Sequence, residues 1–234
     1  MGRFVFILFI GFLFSSVGIS QEERNISSLK EDSEFVLIDP VTGKPFSGIA
    51  FARNSDKKVI YRKHFEDGVE NGLSFFYNDK GNLVSKGEFE NGIEHGKWAW
   101  YYSDGKMKAT GYYCMGAACN RWVYYKETGS IDREGELIDG KETGLWKYFN
   151  DKGHLITERY YSGGLKNGIE IWYYDNGQKM IQRAYVNGTE HGTFCGWYKS
   201  GIKKFEGYAE NGDVVQYKEW DENGNLIITN NPKL

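Results

Sequence analysis

Aromatic and polar residues alternate along short stretches of this chain, and glycine-bearing turns interrupt them at regular intervals. From Lys97 to Tyr102, Trp98, Trp100 and Tyr102 fall on one side and Ala99 and Tyr101 on the other. Period two is the mark of a strand, whose side chains point alternately to the two faces of a sheet. Ser103-Asp104-Gly105 follows, a turn in which glycine supplies a positive φ. A second strand is predicted from Lys106 to Tyr113, and another glycine turn then leads onward. The unit is a β-hairpin.

The hairpin repeats. Glycines recur every 24 residues at Gly68, Gly92, Gly116, Gly140, Gly164, Gly188 and Gly212. A second series at the same spacing runs Gly81, Gly105, Gly129, Gly153, Gly177 and Gly201. A third holds Gly48, Gly72, Gly96, Gly144, Gly168 and Gly192, with Asn120 in the missing slot. An aromatic column keeps phase with them: Tyr77, Tyr101, Tyr125, Phe149, Tyr173 and Trp197. Fixed-period self-similarity signals a repeat architecture. The first copy is worn, with Lys57 where the turn glycine belongs, and the last is one residue short, with Trp220 and Gly224 each one place early. The expectation is an all-β, elongated array of about eight antiparallel hairpins over residues 45–228, with atypical end copies as caps. At about 4.8 Å per strand the array would run on the order of 75 Å.

A lone hairpin is marginal in water, so one face must supply the core. The face of Trp98 and Trp100 recurs as Trp122 with Tyr124 and Trp146 with Tyr148, then varies to Glu170 with Trp172 and Phe194 with Gly196. The second strands add Phe89, Tyr113, Tyr161 and Tyr185, with Leu137 once. Periodicity does not say which face is open.

Composition changes the picture at the ends. Glycine is 30 of 234 residues and proline only 3, so tight turns dominate over flexible linkers. Residues 1–20 carry Arg3 and an apolar run from Phe4 to Phe14. That run is short of the roughly 20 residues a bilayer span takes and fits a signal peptide cut near Gln21. Export to the periplasm, outer surface or medium follows as an expectation. Residues 21–44 form a polar N-terminal segment, of which the acidic stretch 21–34 reads as a tether or disordered start; residues 229–234 read as a tail. The formal charge of -3 offers no basic excess for nucleic acid. It also disfavours, without forbidding, contact with anionic membrane.

The pattern G-x-W-x-x-Y-x-x-x-G, then an aromatic, then a further glycine, resembles MORN repeats, in particular the bacterial MORN-variant repeats. Gly96, Trp98, Tyr101, Gly105, Tyr113 and Gly116 carry it, and again Gly144, Trp146, Phe149, Gly153, Tyr161 and Gly164. The resemblance implies hairpins stacked into an extended sheet that binds partners or membranes and serves as a scaffold. Some bacterial proteins with such repeats carry an antitoxin label, which suits a cytosolic protein better than an exported one.

No catalytic residue or cofactor is expected. The chain lacks G-x-S-x-G, H-E-x-x-H and a phosphate-cradling loop. A glycan hydrolase would need a clustered pair of carboxylates on one face. His95 and His191 share a column with Asn71, Cys119, Thr143 and Asn167 before a glycine. That column reads as a turn position of positive φ, and the two histidines, roughly 40 Å apart, cannot share a metal. The candidate binding residues are therefore rings that stack on sugars or apolar partner surfaces: Trp98, Trp100, Tyr101, Trp122, Tyr124, Tyr125, Trp146, Tyr148, Phe149, Trp172, Tyr173 and Trp197. The expected partner is a protein or cell-envelope glycan; the alternative is an immunity-type inhibitor that caps a toxin. Cys114 and Cys119 flank the turn at Gly116, and export permits a disulfide between them. Free thiols are the rival state, and a metal half-site would need further ligands. Cys195 falls in a strand column and reads as a small packed residue.

Overall fold

The computed structural model describes residues 22–230. The expected signal peptide, its cut near Gln21 and residues 231–234 lie outside the described residues. Eight successive hairpins form a single 19-stranded sheet. From Gly48–Arg53 to Leu226–Asn230 all pairing is antiparallel, with Val69–Glu70 and Gly72–Tyr77 both against Val59–Glu66, and Thr189–Glu190 and Gly192–Trp197 both against Lys179–Val186. Residues 229–230, expected in the tail, belong to that last strand.

Residues 22–34 correct the expectation of a tether or disordered start, and the segment on to residue 44 is ordered with them. Glu23–Asn25 pairs parallel with Gly48–Arg53 and covers that edge of the sheet. Lys30–Glu31, Leu37–Asp39 and Lys44–Pro45 make a small second sheet. Leu29, Leu37, Phe46 and Ala50 form a buried cluster with Ile26 and Phe65 against it. The polar composition hides these few apolar anchors, which suffice to seal the first hairpin as terminal caps of repeat arrays must.

Two turn types alternate. Between hairpins, both central residues take positive φ, as at Asn91-Gly92 (52° and 79°) and Asn187-Gly188 (48° and 86°). This is the type I′ geometry whose twist matches the flanking strands. The second residue's N–H then reaches back one copy: Gly92 N donates to Glu70 O at 2.8 Å, and Gly116 N to Glu94 O at 3.0 Å. Within hairpins, a single left-handed residue closes the turn, as at Gly105 (φ 87°); in the first copy Lys57 takes that conformation at φ 63°.

The histidine column is not the left-handed position. The positive φ falls one residue later, on Gly96 (66°), Asn120 (58°) and Gly192 (113°). There the strand bulges: His95 faces Glu88 and pairing resumes only at Ala99 with Lys86. Three residues thus oppose Gly87 alone. A bulge re-aims side chains, and this one lays Trp98 across Gly87.

The same seat recurs. A Cβ added at Gly87, Gly111 or Gly135 would come within 2.0, 2.2 and 2.3 Å of the indoles of Trp98, Trp122 and Trp146 respectively. None of these three glycines has a positive φ, so their role is to leave room. Trp98 Nε1 donates to Glu88 O at 3.2 Å and Trp146 Nε1 to Glu136 O at 3.1 Å, satisfying the one polar group of each buried ring.

Cys114 and Cys119 are joined by a disulfide with a Cα–Cα distance of 5.8 Å. It brackets the turn at Met115-Gly116, where Met115 stands at φ 50° and is 89% exposed. The corresponding turns put Asp67, Asn91, Asp139, Gly163, Asn187 and Asn211 there, residues that tolerate the left-handed region far better. The staple holds the one such turn with a poorly suited residue.

Gly111→Ala is expected to cost about 1–3 kcal/mol by forcing the Trp122 ring off its seat, measured by urea unfolding. Replacing both cysteines by serine should cost about 2 kcal/mol. Adding Met115→Asn to that double variant should recover a substantial part, read from the urea midpoint.

Candidate binding face

The twelve rings named from the sequence separate into three sets. Trp98, Trp122 and Trp146 are buried, at 6%, 5% and 1% exposure. They are the core of the sheet and offer no stacking surface to a ligand. Trp100, Tyr124, Tyr148 and Trp172 are half-buried, and the first three pack onto the buried indoles. Tyr101, Tyr125, Phe149, Tyr173 and Trp197 are also half-buried but follow a register shift in each strand, as between Trp100 and Tyr101. Alternation already places Tyr101 on the side away from Trp98 and Trp100, and none of these five rings belongs to the ladder. Tyr125 lines a separate shallow depression with Lys97, Tyr112 and Arg121. Tyr102, expected beside Trp100, instead donates its hydroxyl to Tyr125 O at 2.6 Å and ties two copies at the turn.

Phe76, the three buried indoles, Trp100 and Tyr124 form a continuous ladder that ends at Trp146. Phe76 stacks with Trp98 at 6.1 Å, Trp98 with Trp100 at 5.7 Å, and Trp100 with Trp122 at 5.2 Å. Trp122 continues to Tyr124 at 5.9 Å, and Tyr124 to Trp146 at 6.2 Å. Tyr113 and Tyr161 meet Trp122 and Trp146 edge-on from the second strands. No second layer of described residues covers this face, so the half-buried row is its outermost surface.

Charge enters where the seat is filled. In the glycine column Arg159 and Arg183 replace Gly135's successors, and the next Trp position holds Glu170. Glu170 is buried and accepts from Arg159 Nε at 2.5 Å and Lys166 Nζ at 2.9 Å. Arg183 bonds Glu190 at 2.6 Å. The Arg159 guanidinium lies 4.7 Å from the Tyr148 ring centre and 5.2 Å from that of Trp172. Arg133 lies 4.4 Å from Tyr124, with its buried Nε unpartnered. Burial opposes ionisation of Glu170, but the Lys166 and Arg159 cations outweigh it and hold its carboxyl below the ordinary range. Burial raises the Tyr148 hydroxyl, helped by its bond to Tyr161. Burial, then the Glu158 carboxylate, pushes Tyr173 up to about 12.

These ion pairs hold Glu170, Glu190 and, through Lys63, Glu70 as structural partners on their strands. Sequence patterning missed the glycine seats and the Arg–Glu–Lys knot, although the series Gly87, Gly111, Gly135 and Gly207 was available to find them.

A lowered folded pKa means Glu170 contributes full stability above the unfolded carboxylate range and loses it as pH falls through the folded value. Glu170→Gln should therefore cost about 2 kcal/mol at neutral pH and much less in acid. Urea midpoints at a series of pH values check this.

The model of the MORN repeat variant matches residues 70–91, 94–115 and 166–187. No curated protein matches the chain. Among solved structures, TarM of S. aureus in complex with Fondaparinux, alpha-GlcNAc-glycerol and UDP is similar at 16% identity and TM-score 0.30, over 41% of this chain and 19% of that one. The Tc holotoxin pore of Photorhabdus luminescens is similar at 9% identity and TM-score 0.20, over 83% of this chain and 14% of that one. This chain thus spans under a fifth of either, and scores this low carry no functional reading. The matched copies share their hairpin, bulge and turn geometry with the unmatched ones, and the chain is a MORN-variant repeat protein.

Proposed function

We propose that this is an exported, non-enzymatic repeat protein whose aromatic face binds a protein or glycan at the cell envelope. One observation carries the reading: the row Trp100, Tyr124, Tyr148 and Trp172, one ring per copy, is the outermost layer of a face that no described residue covers. Rings fixed by a packed base lose little entropy on binding. They present flat apolar surface with polar edges, suited to sugar rings and to protein side chains alike. The guanidinium groups of Arg133 and Arg159 among them add hydrogen-bond donors. Repeat arrays commonly bind along one extended face.

The test is affinity capture from an envelope fraction with the mature chain, beside a variant carrying Trp100, Tyr124, Tyr148 and Trp172 all replaced by leucine. Circular dichroism first establishes that the variant folds. The wild type is expected to retain proteins or glycans that the variant loses; identical retention overturns the binding face. Fractionation of cells expressing a tagged chain tests export. Retention in the cytosol would overturn the envelope assignment in favour of a toxin-capping inhibitor.

A further inference from the structure

Away from the aromatic ladder, two adjacent hairpin turns converge on a shallow depression of about 510 Å³. Arg53, Lys57, Lys58, Arg62 and Lys80 line it, with Tyr77 and Val59. We propose that this corner is a binding site for a ligand presenting more than one phosphate group. The reading is independent of the aromatic face and goes beyond it.

Three features support the site. First, its charge is uncompensated. Arg62 pairs with Glu23 at 3.1 Å. The other four cations have no carboxylate partner among the described residues. Asp56 and Asp79 belong to the same two turns, but neither lines the depression. Such a convergence within a chain of net charge -3 is a local field that attracts anions.

Second, the site is preorganised. Arg53 Nη1 donates to Lys57 O at 2.7 Å, Lys58 Nζ to Lys80 O at 3.2 Å, and Asn54 Nδ2 to Asp79 O at 3.1 Å. The two turns are tied to each other, and Glu23 of the cap strand holds Arg62. Backbone carbonyls occupy part of the donor capacity and leave the charges free.

Third, Lys57 stands at φ 63° where every later copy has glycine, from Gly81 (85°) and Gly105 (87°) to Gly224 (83°). A lysine in the left-handed region is strained. Strain kept at one copy, in a residue that lines the depression, is the kind of outlier that marks function.

The experiment titrates the full chain with tripolyphosphate by calorimetry and, in a separate arm, sediments it with phosphatidylglycerol vesicles. Lys57→Gly restores the turn residue of the other copies. It is expected to raise the thermal midpoint while weakening binding about threefold, the scale of one exposed ion pair. That opposition separates binding from folding. The double variant Lys58→Gln with Lys80→Gln should weaken it about tenfold. Lys152→Gln, at the position equivalent to Lys80 three copies on, should bind as wild type. Saturable binding to tripolyphosphate identifies a soluble phosphate ligand. Binding to vesicles alone identifies a lipid headgroup, provided the same variants weaken it. Absence of binding in both arms, or binding that survives the double variant, overturns the site.

Discussion

The fold depends on an indole lying flat on a glycine. A single sheet has no opposing layer to bury its apolar face, so a copy that carries Trp98, Trp122 or Trp146 must bury its own tryptophan. It does so by leaving a neighbouring strand without a side chain and dropping the ring into that space. The bulge at Gly96 aims Trp98 at Gly87, and the half-buried Trp100 and Tyr113 close over it. Loss of such a buried ring costs about 3–5 kcal/mol in ordinary cores. Here the core is one ring deep, so each seat also fixes the relation between consecutive hairpins.

That dependence explains why the two columns vary together. Where the seat column holds glycine at residues 87, 111 and 135, the ring column holds Trp98, Trp122 and Trp146. Where it holds Arg159, an indole has nowhere to lie, and Glu170 takes the position to neutralise the cation. Phe194 follows Arg183 and turns the other way, onto Gly207, whose Cβ would meet its ring at 2.2 Å. Isolated buried charges are expensive. Glu170 is accommodated because two cations and its hydrogen bonds arrive with it.

Much of this was legible in the sequence, for a physical reason. Positive-φ turns admit few residues, so the glycine series at Gly92 and Gly105 fixed the hairpins, their count and their phase. Period two placed Trp98 and Trp100 on one face. Burial was not legible, because alternation assigns a side and says nothing of depth; three of the twelve candidate rings proved to be core. The bulge moved the positive φ one residue past the His95 column, and the register shift after Trp100 removed Tyr102 from the ladder. Both are one- or two-residue insertions that break parity without altering composition. The cap over residues 22–45 was hidden because Leu29, Leu37 and Phe46 are too few to show as a pattern.

The Arg–Glu–Lys knot also divides the aromatic face. On its N-terminal side the ladder from Phe76 to Trp146 is a run of rings in contact. Beyond it, Phe194, Phe205 and Tyr217 form a second group of rings. Between them Arg159 lies against both Tyr148 and Trp172, so a guanidinium bridges the gap that a stacked indole would otherwise fill. Guanidinium over an aromatic ring is itself a favourable pair, and it keeps the face continuous in shape while changing its chemistry. A partner lying along this surface would meet apolar rings, then charge, then rings again. For such a partner the interruption that the core tolerates would set register, since an extended ligand can slide along a uniform ladder but not past a fixed cluster of charges.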